Sequence, residues 1–232
     1  MNQLNKSVNY LKKKKKILFI TTSNRWSGDK ELPKSSLLAH KLAESVGKDK
    51  VTILDVSSLN IFHCEGNISR KAGNNCGVIG ATLKNKNKNP TGNHRCWASI
   101  NNKDDDLWKV SKELFQSDCV LFFSSVRWGQ LNAHYQKLIE RLSWIENRHS
   151  TLKEKNVVGD VDVGLIVIGQ NWRGKEILRT QKEVLGFYGF NVVNDLCWNW
   201  QFTTNLEDES KKSYKEAFTV FSKYVLSGLK NR

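Results

Sequence analysis

The sequence predicts an α/β fold: a doubly wound sheet of five parallel strands, order 2-1-3-4-5, with a long insertion after the second strand. Three observations predict it. Five short apolar segments punctuate the chain: "KILFITT" (16–22), "KVTILDV" (50–56), "CVLFFSS" (119–125), "VDVGLIVIG" (161–169) and "FNVVNDLCWNW" (190–200). They are apolar in runs rather than in strict alternation, as in strands covered on both faces. Helical patterns separate them, and alternating strands and helices give parallel strands joined by right-handed crossovers.

The elements follow in order. Residues 1–15 are polar and basic and read as a frayed arm, ahead of a single domain over 16–232. Pro33 suits a first helical position, and "KSSLLAHKLAESV" sets Leu38, Leu42 and Val46 on one face. From 57 to 103 the periodicity disappears, which marks an insertion that is either functional or disordered. "DDDLWKVSKELFQS" begins with acids that suit a helix N-terminus and carries the stripe Leu107, Val110 and Leu114. After the third strand, Leu131, Tyr135, Leu138, Leu142 and Ile145 form the clearest amphipathic pattern. "KEILRTQKEVLGFYG" turns Ile177, Val184 and Tyr188 inward, with Gly189 as its cap. A last helix over about 206–229 places Tyr214, Phe218, Phe221 and Val225 inside.

Charge and composition narrow the partners. Lys and Arg total 37 against 23 Asp and Glu, a net charge of +14, which raises nucleic acid, anionic membrane and phosphate-bearing ligands. Lys outnumbers Arg about three to one, in Lys-Asn runs without the interleaved aromatics of single-strand binders. The charge therefore reads as solvated surface, and a nucleic-acid partner is the least favoured reading. No apolar stretch approaches the roughly 20 residues of a membrane span, and the "LKKKKKILFI" start is too short for a secretory signal. A soluble cytoplasmic protein is expected.

In such a sheet, ligands bind beyond the carboxyl ends of the strands at the topological switch point. That selects three loops. "TTSNRWSGDKELPKSS" supplies Ser23 and Arg25, with Ser35 and Ser36 in the first turn of the following helix, where hydroxyls and free N–H groups suit a phosphate; simple helix capping is the alternative. "SSVRWGQ" and "GQNWRGK" each pair Trp with Arg, as Arg127-Trp128 and Trp172-Arg173, and each has a glycine, Gly129 or Gly174, that lets backbone approach a ligand. The alternative for each Trp is packing over the sheet edge. No glycine-rich dinucleotide fingerprint and no nucleoside-triphosphate loop is present. The pattern suits a planar ring with an anionic tail.

These motifs resemble the flavodoxin-like NAD(P)H-dependent FMN reductase family. Thr22-Ser23-Asn24-Arg25 followed by Ser35-Ser36 resembles its Gly-Ser-x-Arg and helix-start hydroxyl. Ser124-Ser125-Val126-Arg127-Trp128-Gly129 stands where the family has Thr-Pro-Val-Tyr-Trp-Gly, and Glu140-Arg141 resembles the Asp-Arg that ends its next helix. Thr22, Ser125 and Arg127 depart from the family's Gly, Pro and Tyr. The resemblance implies a flavodoxin-like sheet and FMN held by Ser23, Arg25, Ser35, Ser36, Ser125, Val126, Arg127, Trp128, Gly129, Gly169, Gln170, Asn171 and Trp172. It also implies NAD(P)H as co-substrate, a small-molecule acceptor such as a flavin or quinone, and no catalytic side chain of the protein's own. Homo-oligomer formation stays open. A flavodoxin-type electron carrier without small-molecule turnover is the alternative function, and a nucleic-acid-binding module comes third.

Five cysteines complete the reading. Cys119 and Cys197 lie in apolar runs and read as buried, inert thiols. Cys64, Cys76 and Cys96 share the insertion with His63 and His94, residue types that hold zinc. An iron–sulfur cluster needs four cysteines, and only three, widely spaced, are present. The favoured reading is a lid or oligomer contact with free thiols and no metal.

Overall fold

The computed structural model describes residues 3–25, 31–204 and 210–230. Its strands are β1 Ile17–Thr21, β2 Val51–Asp55, β3 Ile68–Ser69, β4 Gly73–Asn74, β5 Cys119–Arg127, β6 Gln130–Leu131, β7 Asp162–Gly169 and β8 Asn191–Gln201. The α-helices are α1 Gln3–Leu11, α2 Lys34–Val46, α3 Trp97–Asn101, α4 Leu107–Leu114, α5 Ala133–Ser150, α6 Gly174–Phe187, α7 Lys211–Phe221 and α8 Ser227–Lys230, with a π-helical turn at Ser222–Leu226 before the last. The main sheet runs β2-β1-β5-β7-β8, all parallel, which is the expected 2-1-3-4-5 order. Thr21 lies opposite Phe123, and Phe123 opposite Ile166. The carboxyl ends of β1, β5 and β7 are therefore neighbours, and so are the loops that leave them.

Both faces of the sheet are covered, which is why its strands read as continuous apolar runs. Leu18, Ile20, Val120, Phe122, Val163 and Leu165 join α4, α5 and α6 in one core. Ile17, Phe19, Leu121, Phe123 and Ile166 join α1, α2, α7 and α8 in the other. Among the described residues no helix is long and apolar enough to cross a membrane.

Three sequence expectations need correction. Residues 3–11 are not a frayed arm: α1 buries Leu4, Val8 and Leu11. Its Ser7 hydroxyl donates to the Asp195 carbonyl (2.6 Å) and accepts from Trp198 Nε1 (3.2 Å), which fastens α1 to β8. Three apolar residues at helical spacing sufficed, although the polar residues between them concealed the stripe. Leu131 does not belong to the α5 stripe; it lies in β6, which pairs antiparallel with β5. Tyr214 is 45% exposed rather than inward, whereas Phe221 and Val225 are buried; the expected start of this helix, 206–209, lies outside the described residues. As expected, α4 starts directly after the acidic run, with Asp106 as its N-cap residue, though without a side-chain cap bond. Asp106 accepts from the Asn60 N–H (3.1 Å), and Asp105 accepts from the Phe62 N–H (3.1 Å).

Those two bonds fix the start of the 57–103 insertion, which is fastened to α5 at several points. Arg141, fully buried in the middle of α5, places both terminal nitrogens 2.9 Å from the Asp105 oxygens. It also donates to the Phe62 carbonyl (2.7 Å), Ser99 Oγ (3.0 Å) and Cys96 Sγ (3.4 Å). Arg148 and Arg95 share Glu154, and Trp97 Nε1 donates to the Asn75 carbonyl (2.9 Å). His94 is buried against Trp144 with its Nδ1 2.7 Å from Ser111 Oγ, and burial pushes its pKa down to about 4.

Gly164 gives a stability prediction. Between Val163 and Leu165 the register on β8 jumps from Val192 to Cys197, and Leu196 folds into the gap. A Cβ on Gly164 would lie 2.2 Å from Leu196 Cβ and 2.6 Å from its carbonyl oxygen. Gly164→Ala is expected to lower the urea midpoint by the equivalent of about 1–3 kcal/mol, the usual cost of overpacking. A variant with the wild-type midpoint would show that β8 can retreat at no cost.

Candidate functional site

A cleft of about 1090 Å³ opens at the carboxyl edge of the sheet, where the loops after β1, β5 and β7 meet. Eleven of the thirteen residues selected from the sequence line it: Ser23, Arg25, Ser35, Ser125, Val126, Arg127, Trp128, Gly169, Gln170, Asn171 and Trp172. Ser36 and Gly129 do not. Asn24, Pro33, Lys34, Ile168 and Tyr214 complete the lining.

One pole of the cleft is built from hydroxyls and cations. The Thr22 N–H extends the β1–β5 pairing by donating to the Phe123 carbonyl (3.1 Å), which brings Ser23 to the strand end. Pro33 precedes the first residue of α2 rather than occupying it, and α2 has no side-chain cap. The serines therefore do not act as caps. Ser35 Oγ donates to Ser23 Oγ (2.8 Å), so the strand end and the helix start share one polar pair. Ser36 is buried with its hydroxyl unpartnered. Lys34 stands at the same helix start. Burial first, then the positive charges of Arg25 and Arg127, push its pKa down. Cations gathered in this way at a helix N-terminus give this pole of the cleft a positive potential.

Asn132 holds the strand ends together and was not selected from the sequence. It is the N-cap of α5, accepting from the Tyr135 N–H (3.2 Å). Its Nδ2 lies 3.1 Å from Thr22 Oγ1, 3.4 Å from Ser23 Oγ, 2.9 Å from Ser124 Oγ and 3.3 Å from Ser125 Oγ. An asparagine before an apolar helical run signals a cap. Its second role needs β1 and β5 side by side, which local sequence does not show.

The other walls are aromatic and amide. Trp128 adopts φ +49° and is 91% exposed beside Arg127. Arg173, at the start of α6, also has a left-handed φ of +50°. Left-handed non-glycine residues cost free energy and cluster at functional loops. Both glycines lie against other protein groups. A Cβ on Gly129 would meet Arg173 Cδ at 3.6 Å and the Trp172 ring at 3.9 Å, so the second and third loops pack on each other there. A Cβ on Gly174 would meet the Asn199 and Gln201 side chains at 3.0 and 3.2 Å. Gln170 donates to Ser213 Oγ (2.9 Å), while its Oε1 is buried and unpartnered.

No residue of the insertion lines the cleft, so it is not a lid over this site. Cys64 is exposed, Cys76 half-buried beside Ser143, and Cys96 buried against Arg141. Among the described residues no group of three or more His, Cys, Asp or Glu could hold a metal. Arg141 lies in the middle of α5 rather than at its end, and serves the insertion instead of the cleft.

No family model matches this sequence, and no curated protein matches it. Solved structures do. The crystal structure of RosB with bound 8-demethyl-8-formylriboflavin-5'-phosphate is similar at TM-score 0.55 and 13% identity, over 91% of this chain and 76% of that one. An azoreductase from Bacillus anthracis str. Sterne is similar at TM-score 0.53 and 14% identity, over 94% of this chain and 99% of that one. A putative quinone reductase from Klebsiella pneumoniae is similar at TM-score 0.50 and 14% identity, over 90% and 83%. These likenesses, with the strand order, show a flavodoxin-like fold.

Proposed function

We propose that this chain is an FMN-dependent NAD(P)H oxidoreductase that passes reducing equivalents from a nicotinamide nucleotide to a small-molecule acceptor such as a flavin or quinone. The carrying observation is the cleft itself: a hydroxyl and cation pole at the start of α2, facing indole and amide walls, at the switch point of a doubly wound sheet. The residues fit the cofactor. One buried polar atom of its lining, Gln170 Oε1, lacks a partner, and Lys34 is held beside two other cations. Likeness to an azoreductase, a quinone reductase and RosB with a riboflavin-phosphate derivative supports this reading.

Ser23, Ser35, Arg25 and Lys34 would bind the phosphate through hydroxyl donors and charge. Ser125, Val126, Arg127 and Trp128 would border the ring on one side, and Gly169, Gln170, Asn171 and Trp172 on another. When bound, FMN supplies the two-electron chemistry between nicotinamide and acceptor, while the protein positions and tunes it. Trp128 and Trp172 would exclude water from the ring, and Asn132 holds the loop ends in register for both.

Turnover separates this enzyme from an electron carrier. Anaerobic NADPH or NADH added to the FMN-loaded protein is expected to bleach the flavin absorbance within seconds, and a quinone to restore it over repeated cycles. A flavin that binds yet stays oxidised would leave only the carrier reading.

A further inference from the structure

Asn132 is 4% exposed and stands behind the cleft without lining it. The cap fixes which way its amide turns: Oδ1 accepts from the Tyr135 N–H, so Nδ2 faces the strand ends. An amide nitrogen donates two protons and accepts none. Those protons are shared among the hydroxyl oxygens of Thr22, Ser23, Ser124 and Ser125, at 2.9–3.4 Å. Toward Asn132 all four hydroxyls act as acceptors only.

What each hydroxyl does with its own proton then differs. Thr22 passes its proton to Ser124 Oγ (2.9 Å), and both are buried away from the cleft. Ser23 Oγ receives two donors, Asn132 Nδ2 at 3.4 Å and Ser35 Oγ at 2.8 Å. A hydroxyl oxygen has two lone pairs and one proton, so both accepting positions of Ser23 are taken. Among the described residues Ser23 donates to no protein group. It lines the cleft with Arg25 and Lys34, and its proton is left for a ligand there. We infer that Asn132 is a positioning residue that makes Ser23 a dedicated donor at the cation pole. Such a donor suits a group that only accepts, the phosphate of the flavin reading on which this role rests. It disfavours an alcohol at the same place, whose own proton gains no partner from Ser23. A simple cap would need neither the protons of the amide nor the hydroxyls around them.

The test is a double-mutant cycle on wild type, Asn132→Ser, Ser23→Ala and the two together, each titrated with FMN and with riboflavin. Serine at the cap position keeps the cap, and its hydroxyl stops one bond short of the place of Nδ2. Ser23→Ala is expected to lower the FMN-over-riboflavin ratio about tenfold, one charge-assisted hydrogen bond. Asn132→Ser should lower it by about threefold, since Ser23 then keeps its proton but loses its direction. In the Ser23→Ala background, Asn132→Ser should leave the ratio unchanged, because the effect runs through the missing hydroxyl. Asn132→Ser weakening both flavins alike, or still lowering the ratio without Ser23, would overturn the inference. The proposed function would survive either result, with Asn132 only holding the loops. A wild type that binds neither flavin overturns the proposed function instead. The cycle is then read with inorganic phosphate, through the rise in Tm that binding to the folded state gives. A rise reduced by Asn132→Ser only where Ser23 is present supports the role of Asn132. No rise, or the same rise in all four proteins, overturns it.

Discussion

Arg141→Met is expected to destabilise the protein by about 3–5 kcal/mol at neutral pH, the cost of leaving one partner of a buried ion pair alone. Arg141 and Asp105 are both fully buried, and the same guanidinium also serves Phe62, Ser99 and Cys96. Its loss would leave the Asp105 carboxylate with the Phe62 N–H and the Ser99 hydroxyl as partners. In the wild type, bonds to Arg141 and Ser99 outweigh burial and hold the Asp105 pKa down. Its contribution is therefore present above the unfolded value of about 3.9 and is lost as pH falls through the folded one. Without Arg141, burial raises the folded pKa above the unfolded value. The deficit of the variant should then grow as pH rises through the unfolded pKa, and shrink again on acidification. The pair Arg141→Met with Asp105→Asn should lose less than the single change, a coupling that a double-mutant cycle reads directly. Urea unfolding between pH 3 and pH 7.5 checks both points. A pH-independent loss, or a double variant no better than the single one, would contradict this role.

The fold was largely legible because both faces of the sheet are covered. Complete coverage buries "ILFIT" and "DVGLIVIG" at every position and makes them apolar in runs, a signal that survives without an alignment. What escaped depends on partners distant in sequence. Leu4, Val8 and Leu11 make a helix because β8 and α2 offer them a face, and the lysines that follow suggest the opposite. The acids before Leu107 do mark a helix start, but the local pattern does not show that they also satisfy backbone N–H groups more than 40 residues away, at Asn60 and Phe62. The site was legible as three loops, since the switch point follows from strand order. The role of Asn132 was not, because four hydroxyls from two strands meet only once β1 and β5 are paired. At Gly174 two β8 side chains stand close to where a Cβ would lie, a contact that the local sequence does not show.

Relative affinity for FMN and riboflavin, which differ only by the phosphate, tests most directly that the cleft holds a flavin mononucleotide by its phosphate. Ser23, Ser35, Arg25 and Lys34 converge on one pole. FMN is therefore expected to bind about 100-fold or more tightly than riboflavin, which corresponds to about 2.7 kcal/mol from charge-assisted bonds. Ser35→Ala should narrow that gap to about tenfold, one tenfold step being about 1.4 kcal/mol. Ser36→Ala, which removes a buried and unpartnered hydroxyl outside the lining, should narrow it less at little cost to stability. Titration of the purified protein with each flavin, followed by quenching of flavin fluorescence, gives all three ratios. A wild-type preference for FMN that falls with Ser35→Ala is the predicted result; equal affinity for the two flavins, or no binding of either at high micromolar concentration, would contradict it.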